Sequence, residues 1–126
     1  EFLDYCKAHN IFIAILTNGR PKSQYAKVIA LDLHRWFDDD HIFISGGIGY
    51  QKPDPMAFQY IEKMFSLNPE ETWYIGDTYE ADVVGADGAG WHTVWFNHRN
   101  RERLENCADV TVRSIEELSR FIKERS

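Results

Sequence analysis

Hydrophobic and polar positions along this chain follow two alternating rhythms. Short continuous apolar runs recur, each followed by a polar or glycine-rich connection and then by apolar positions three and four residues apart. Runs of this length read as strands buried on both faces, and the longer period reads as amphipathic helix. The first run, IFIAIL at 11–16, passes through Thr17-Asn18-Gly19 into a helix opened by Pro21, with Tyr25, Val28, Ile29, Leu31 and Leu33 as its apolar side. Trp36 and Phe37 are expected to tuck the following connection against the body. HIFIS at 41–45 is a second strand, and 46–49 a flexible glycine loop. Asp54 then caps a helix whose first residue is Pro55 and whose apolar positions are Phe58, Ile61, Met64 and Phe65.

The same alternation fills the second half. Asn68-Pro69-Glu70-Glu71 has the form of a capping box and precedes a strand at 72–76. A helix rich in small residues follows at about 80–89, with Gly85 and Gly88 allowing close packing on the sheet. Residues 92–96 form a fourth strand and 109–112 a short fifth, and Ser114 to Glu117 is another capping box opening a last amphipathic helix. Upstream, Phe2, Leu3, Tyr5 and Cys6 give one face of a helix already under way and stopped at His9-Asn10, so residues are expected to precede Glu1 in a longer protein. Repeated strand–helix units predict an α/β fold, a mostly parallel sheet with helices on both faces, across residues 1–126 as one domain.

Composition narrows the function more than the fold. The 126 residues are 44% hydrophobic and 14% aromatic, enough for a core, and the net charge of -6 disfavours a nucleic-acid partner. Cys6 and Cys107 are far apart and outside any CxxC pattern, which fits a reducing, cytoplasmic setting. No run reaches the roughly 18 apolar residues of a membrane span, and no signal peptide is visible.

Polar clusters follow three of the strands: Thr17-Asn18-Gly19, then Lys52-Pro53, then Asp77 with Asp82. Ligands of parallel α/β sheets bind outside the carboxyl ends of the strands, so the three clusters are expected to meet at one edge. A phosphate monoester there needs positioning and charge stabilisation above all. Thr17 and the amides around Asn18 and Gly19 can donate to its oxygens, and Lys52 supplies a point cation. Asp77 can bind a hard cation such as Mg2+, while Asp82 can be a second ligand or can orient Lys52. His34, His41, His92 and His98 show no metal-ligand spacing and read as surface or packing. Arg99, Arg101 and Arg103 read as a solvated loop, the four tryptophans as core, and Asp38-Asp39-Asp40 as a solvated turn.

ILTNG at 15–19, GYQKPDP at 49–55 and IGDTYEADVVGADGAG at 75–90 together resemble motifs two, three and four of the haloacid dehalogenase-like hydrolases. The run is similar to the phosphatase-type subfamily whose cap is inserted after motif one. The resemblance implies a Rossmann-like three-layer sandwich and hydrolysis of a small phosphorylated metabolite, a nucleotide among the candidates, through an aspartyl-phosphate. It implies Mg2+ as cofactor, Thr17 on the transferring phosphoryl group, Lys52 on the nucleophile and phosphoryl charge, Asp77 on the metal and Asp82 in support. Motif one, an Asp-x-Asp strand end carrying the nucleophile, has no counterpart before Ile11, and the cap is likewise expected upstream. This chain alone is therefore expected to be inactive and to lack the central first strand of the sheet. The gap is expected to leave it poorly stable, to close by direct pairing of its neighbours, or to be filled by strand exchange or dimerisation. The alternatives are a metal-independent dehalogenase-type hydrolase and a non-catalytic phosphate- or nucleotide-binding module.

Overall fold

The computed structural model describes residues 2–103 and 105–125, in two compact units, Glu1–Gln51 and Lys52–Ser126. In the first unit, helix α1 (Phe2–Ala8) ends where Asn10 takes a left-handed φ of 55°, a conformation asparagine tolerates. Strand β1 (Ile15–Thr17), helix α2 (Pro21–Ala30) and strand β2 (Ile42–Ile44) follow, with β1 and β2 paired in parallel, Ile15 opposite Ile42. Cys6, Leu16, Val28, Phe37 and Phe43 are its buried apolar residues. As expected, Phe37 is tucked in, while the Trp36 indole N–H donates to Asp4 at 2.7 Å.

Three local expectations change here. The strand covers the end of the 11–16 run only, and Phe12 is 43% exposed, because a two-stranded sheet within this unit cannot bury both faces of the run. On α2 only Val28 is buried; Ile29, the next position and about 100° further round the helix, is largely exposed, as is Leu31 just past the helix end. Residues Ser45–Ile48 are not a loop but a helical turn, α3, closed by Gly49, whose φ of 88° lets its N–H reach the Ser45 carbonyl. The three aspartates at 38–40 are exposed as expected, although Asp39 also accepts from the Tyr25 hydroxyl and His34 Nε2.

In the second unit, helix α4 (Pro55–Phe65) begins as its sequence dictates, with Asp54 Oδ1 accepting from the Met56 N–H at 2.9 Å. Asn68 similarly caps Glu70, but a single 3₁₀ turn, Pro69–Glu71, follows. Strands β3 (Trp73–Gly76), β4 (His92–Phe96) and β5 (Val110–Val112) form one parallel sheet in that order, with Gly76 opposite Trp95. Between β3 and β4 the chain winds through a π-helical turn, Tyr79–Val84, into a short helix α5 (Gly85–Gly88). Helix α6 (Ile115–Arg125) closes the unit, the Glu117 N–H donating to Ser114 Oγ. Phe58 is fully buried and meets the rings of Tyr74 and Trp91 edge-on, at 5.1 and 5.4 Å. A methyl at Gly85 would stand 2.7 Å from the Phe58 ring, so glycine is required there; at Gly88 it would meet Pro55 at an ordinary 3.5 Å, so glycine is not.

All strand pairs are parallel and alternate with helices, which makes this a Rossmann-like α/β fold. Among the described residues the first unit holds the two-stranded sheet β1-β2 and the second the three-stranded sheet β3-β4-β5. Among the described residues no helix is long and apolar enough to cross a membrane. Phe58→Ala is expected to cost about 3–5 kcal/mol in urea unfolding, against about 0.5 kcal/mol or less for Met64→Ala on the exposed side of α4. Equal losses at the two positions would contradict this placement of the core.

Candidate active site

β3 ends at Gly76, and the two carboxylates beyond it take opposite environments. A Cβ on Gly76 would fall on the Asp82 side chain, so only glycine lets that side chain fold back against the strand end. The Asp82 N–H donates to the Thr78 carbonyl at 2.8 Å, and the Thr78 N–H donates to Asp82 Oδ2 at 3.0 Å. Asp82 Oδ1 accepts from Lys52 Nζ at 2.5 Å, in an ion pair whose side chains are only 11% (Lys52) and 6% (Asp82) exposed. Lys52 Nζ also donates to the Tyr74 hydroxyl at 3.0 Å. Burial first, then the charge and hydrogen bond of Asp82, push the Tyr74 phenol well above its ordinary value of 10.0.

Asp77 faces outward, its side chain 45% exposed. Its Oδ2 meets His98 Nε2 at 3.2 Å and Arg99 Nη2 at 3.5 Å, and its Oδ1 accepts from the Thr78 hydroxyl at 3.3 Å. Thr78 thus touches both carboxylates, one through its hydroxyl and the other through its amide. Partial burial works against ionisation of Asp77, but the His98 hydrogen bond, the Arg99 charge and the Thr78 hydroxyl outweigh it and hold the carboxyl below its ordinary 3.8. His98 and Arg99 stand in the turn after β4, which is fixed by Asn97: buried, it donates to the Arg101 carbonyl at 2.8 Å and accepts from the Arg101 N–H at 2.9 Å.

In the first unit, Thr17 ends β1 and donates its hydroxyl to Gln24 Oε1 at 3.1 Å. The Gly19 N–H donates to Ser45 Oγ at 2.9 Å. Gly19 has a φ of 146°, and a Cβ there would lie 2.6 Å from the Gln24 amide nitrogen, so the Thr17-Asn18-Gly19 turn depends on that glycine.

The structure brings Lys52, Asp77 and Asp82 around the end of β3, while Thr17, Asn18 and Gly19 form the turn after β1. Sequence reasoning passed over Tyr74, Thr78, Asn97 and the approach of His98 and Arg99 to Asp77. The available signal was register: β4 lies beside β3, so the turn leaving β4 opens next to the turn leaving β3. Asp77 suits a hard cation, being a half-exposed carboxylate held in its charged form. Among the described residues no three His, Cys, Asp or Glu side chains gather into a metal cluster, and Mg2+ takes one or two carboxylates and keeps waters on its other positions.

Residues 1–90 match the haloacid dehalogenase-like hydrolase family. That match covers well over half of the sequence, and the chain belongs to this family. Glyceraldehyde 3-phosphate phosphatase of Pyrococcus furiosus is 32% identical over 89% of this chain and 48% of its own length. Phosphoserine phosphatase of Thermus thermophilus is 35% identical over 93% of this chain and 47% of its own. The magnesium-bound structure of the HAD-hydrolase YfnB of Bacillus subtilis superposes with a TM-score of 0.81 at 29% identity, over 96% of this chain and 53% of that one. The chain thus spans about half the length of the curated relatives it matches.

Asp82→Ala is expected to cost about 3–5 kcal/mol in urea unfolding, because it leaves the Lys52 ammonium buried without its counter-ion. A loss below about 1 kcal/mol, the scale of an exposed pair, would contradict that burial. In metal-free buffer the Asp77 carboxyl, followed by carbon NMR, is expected to titrate below 3.8. Its depressed value makes its stabilising contribution present above 3.8 and lost as pH falls through the lower folded value. A midpoint at or above 3.8 would remove His98 and Arg99 as its partners.

Proposed function

We propose that this chain is the C-terminal part of the core of a Mg2+-dependent phosphatase acting on a small phosphorylated metabolite. The observation that carries the reading is the buried Lys52–Asp82 pair, joined through Thr78 to an exposed, charge-stabilised Asp77 at the end of β3. Phosphoryl transfer asks a protein chiefly for fixed charge and fixed position, and this cluster supplies both.

Lys52 is held by two hydrogen bonds and presents a positive charge to the phosphoryl oxygens and to the attacking carboxylate. Of the two roles the sequence left for Asp82, geometry favours the orientation of Lys52: one carboxylate oxygen takes the lysine and the other the Thr78 amide. Asp77 is assigned to Mg2+, which when bound neutralises charge on the phosphoryl group. Thr17, with the amides of Asn18 and Gly19, is assigned to the phosphoryl oxygens. Family resemblance assigns the step itself to an aspartate outside these residues, through an aspartyl-phosphate. The 126-residue chain alone is accordingly inactive. The phosphatase names of the relatives support a phosphate monoester, and their differing substrates leave its organic part to be set elsewhere in the protein. Free Cys6 and Cys107 favour a reducing cytoplasm. The acidic balance argues against nucleic acid as a partner, and strand exchange or a dimer would supply the central first strand that the family resemblance implies.

The test is phosphate release by the intact protein against a panel of small phosphate monoesters, nucleotides included. Activity is expected to require Mg2+, to vanish with a chelator, and to fall about 100-fold or more in Asp77→Ala and in Lys52→Ala. Full activity in Asp77→Ala would refute its metal role. Turnover of a haloacid without metal would replace the phosphatase reading with the dehalogenase one, and binding of phosphate without turnover would replace it with the binding module.

A further inference from the structure

The phenol of Tyr74 has no part in the roles assigned above, yet it shares the Lys52 ammonium with Asp82. Lys52 Nζ donates to the Tyr74 hydroxyl at 3.0 Å and to Asp82 Oδ1 at 2.5 Å, so two oxygens from different elements converge on one ammonium. The ammonium also lies 5.4 Å from the centre of the Tyr74 ring. The ring is wedged edge-on against Phe58, itself fully buried, so the hydroxyl is carried on a rigid lever. Tyr74 lies on β3 two residues before Gly76, so strand alternation puts it on the same face as the glycine over which Asp82 folds.

We infer that Tyr74 is a positioning residue: with Asp82 it fixes the direction of the Lys52 ammonium. A lysine on a four-carbon stem has large rotamer freedom, and a single carboxylate at 2.5 Å restrains its distance but not its direction. A second oxygen 3.0 Å away removes the remaining swing. The phenol stays protonated through neutral pH, so it adds no negative charge to compete with a phosphate. The inference deepens the phosphatase reading by stating what holds its lysine, but the geometry it describes belongs to the chain whether or not that reading stands.

Two measurements test it. In the 126-residue chain, proton exchange of the Lys52 ammonium with water, followed by nitrogen-15 NMR, is expected to be at least about ten-fold slower than at the exposed Lys22 and Lys27, because its protons are held in hydrogen bonds. In Tyr74→Phe, which keeps the ring and removes one oxygen, that protection is expected to fall while urea unfolding stays cooperative. Exchange at Lys52 as fast as at Lys22 in the unaltered chain, or unchanged protection in Tyr74→Phe, would overturn the inference. The first of these outcomes needs no variant to fold. In the intact protein, Tyr74→Phe is expected to lower kcat about ten-fold with KM nearly unchanged, the mark of a lost transition-state interaction. Unchanged kcat in a protein that hydrolyses phosphate monoesters would also overturn it. Protected Lys52 exchange in a protein with no such activity would uphold the positioning role and sink the phosphatase reading instead.

Discussion

The ion pair between Lys52 and Asp82 constrains the rest of the second unit. Two opposite charges with side chains 11% and 6% exposed are tolerable only if each remaining polar direction finds a partner. The local structure meets that demand. Gly76 has no side chain because Asp82 occupies the place it would take. The Thr78 amide satisfies the second Asp82 oxygen, and the turn that makes this possible opens a π-helical segment, a form often found at functional sites. Gly85 lets that segment's continuation lie against Phe58, which in turn backs Tyr74. Replacing buried pairs of this kind with apolar residues often leaves stability unchanged or raises it, so such a pair is better read as a device for holding charge in place than as a source of stability.

Asp77 follows the opposite logic one residue beyond the same strand. Its partners, His98 and Arg99, are 42% and 50% exposed, and exposed pairs contribute little to stability. An acid of this kind keeps its charge yet can exchange partners at small cost, as the proposed metal role of Asp77 would require. The buried member of the arrangement is Asn97, whose two hydrogen bonds to Arg101 set the turn from which both cations reach Asp77. Strand order makes this approach possible: β4 is the neighbour of β3, and the turns that leave them open side by side.

Much of this was legible from residue pattern. Strand β4 falls on the expected positions, and the starts of α2 and α4 follow from Pro21 and from the Asp54-Pro55 pair, because those signals are local. Where burial depends on distant chain, the pattern misled: the 11–16 run reads as buried on both faces, yet Phe12 is exposed, as are Ile29 on α2 and Leu31 just past its end. The glycines at 46–49 read as a loop because glycine weakens helices, but one glycine at the closing position suffices to end a helical turn. At the site, the motifs identified Lys52, Asp77 and Asp82, but thirty residues separate Lys52 from Asp82, so spacing alone could not choose between metal support and lysine orientation for Asp82. His98 and Arg99 were passed over because their relation to Asp77 is a matter of sheet order, which no local window carries.

The proposed phosphatase role requires Lys52 and Asp82 to be held as charges for chemistry rather than for folding. The direct measurement is a combined variant, Lys52→Met with Asp82→Asn, in which the amide can still accept from Thr78. Its unfolding free energy is to be compared with that of Asp82→Ala, and its phosphate release in the intact protein with that of the unaltered enzyme. The expected result is stability within about 1–2 kcal/mol of the parent, well above the single variant, with phosphate release reduced by about 100-fold or more. A combined variant as unstable as Asp82→Ala, or one that still releases phosphate at the parent rate, would contradict it.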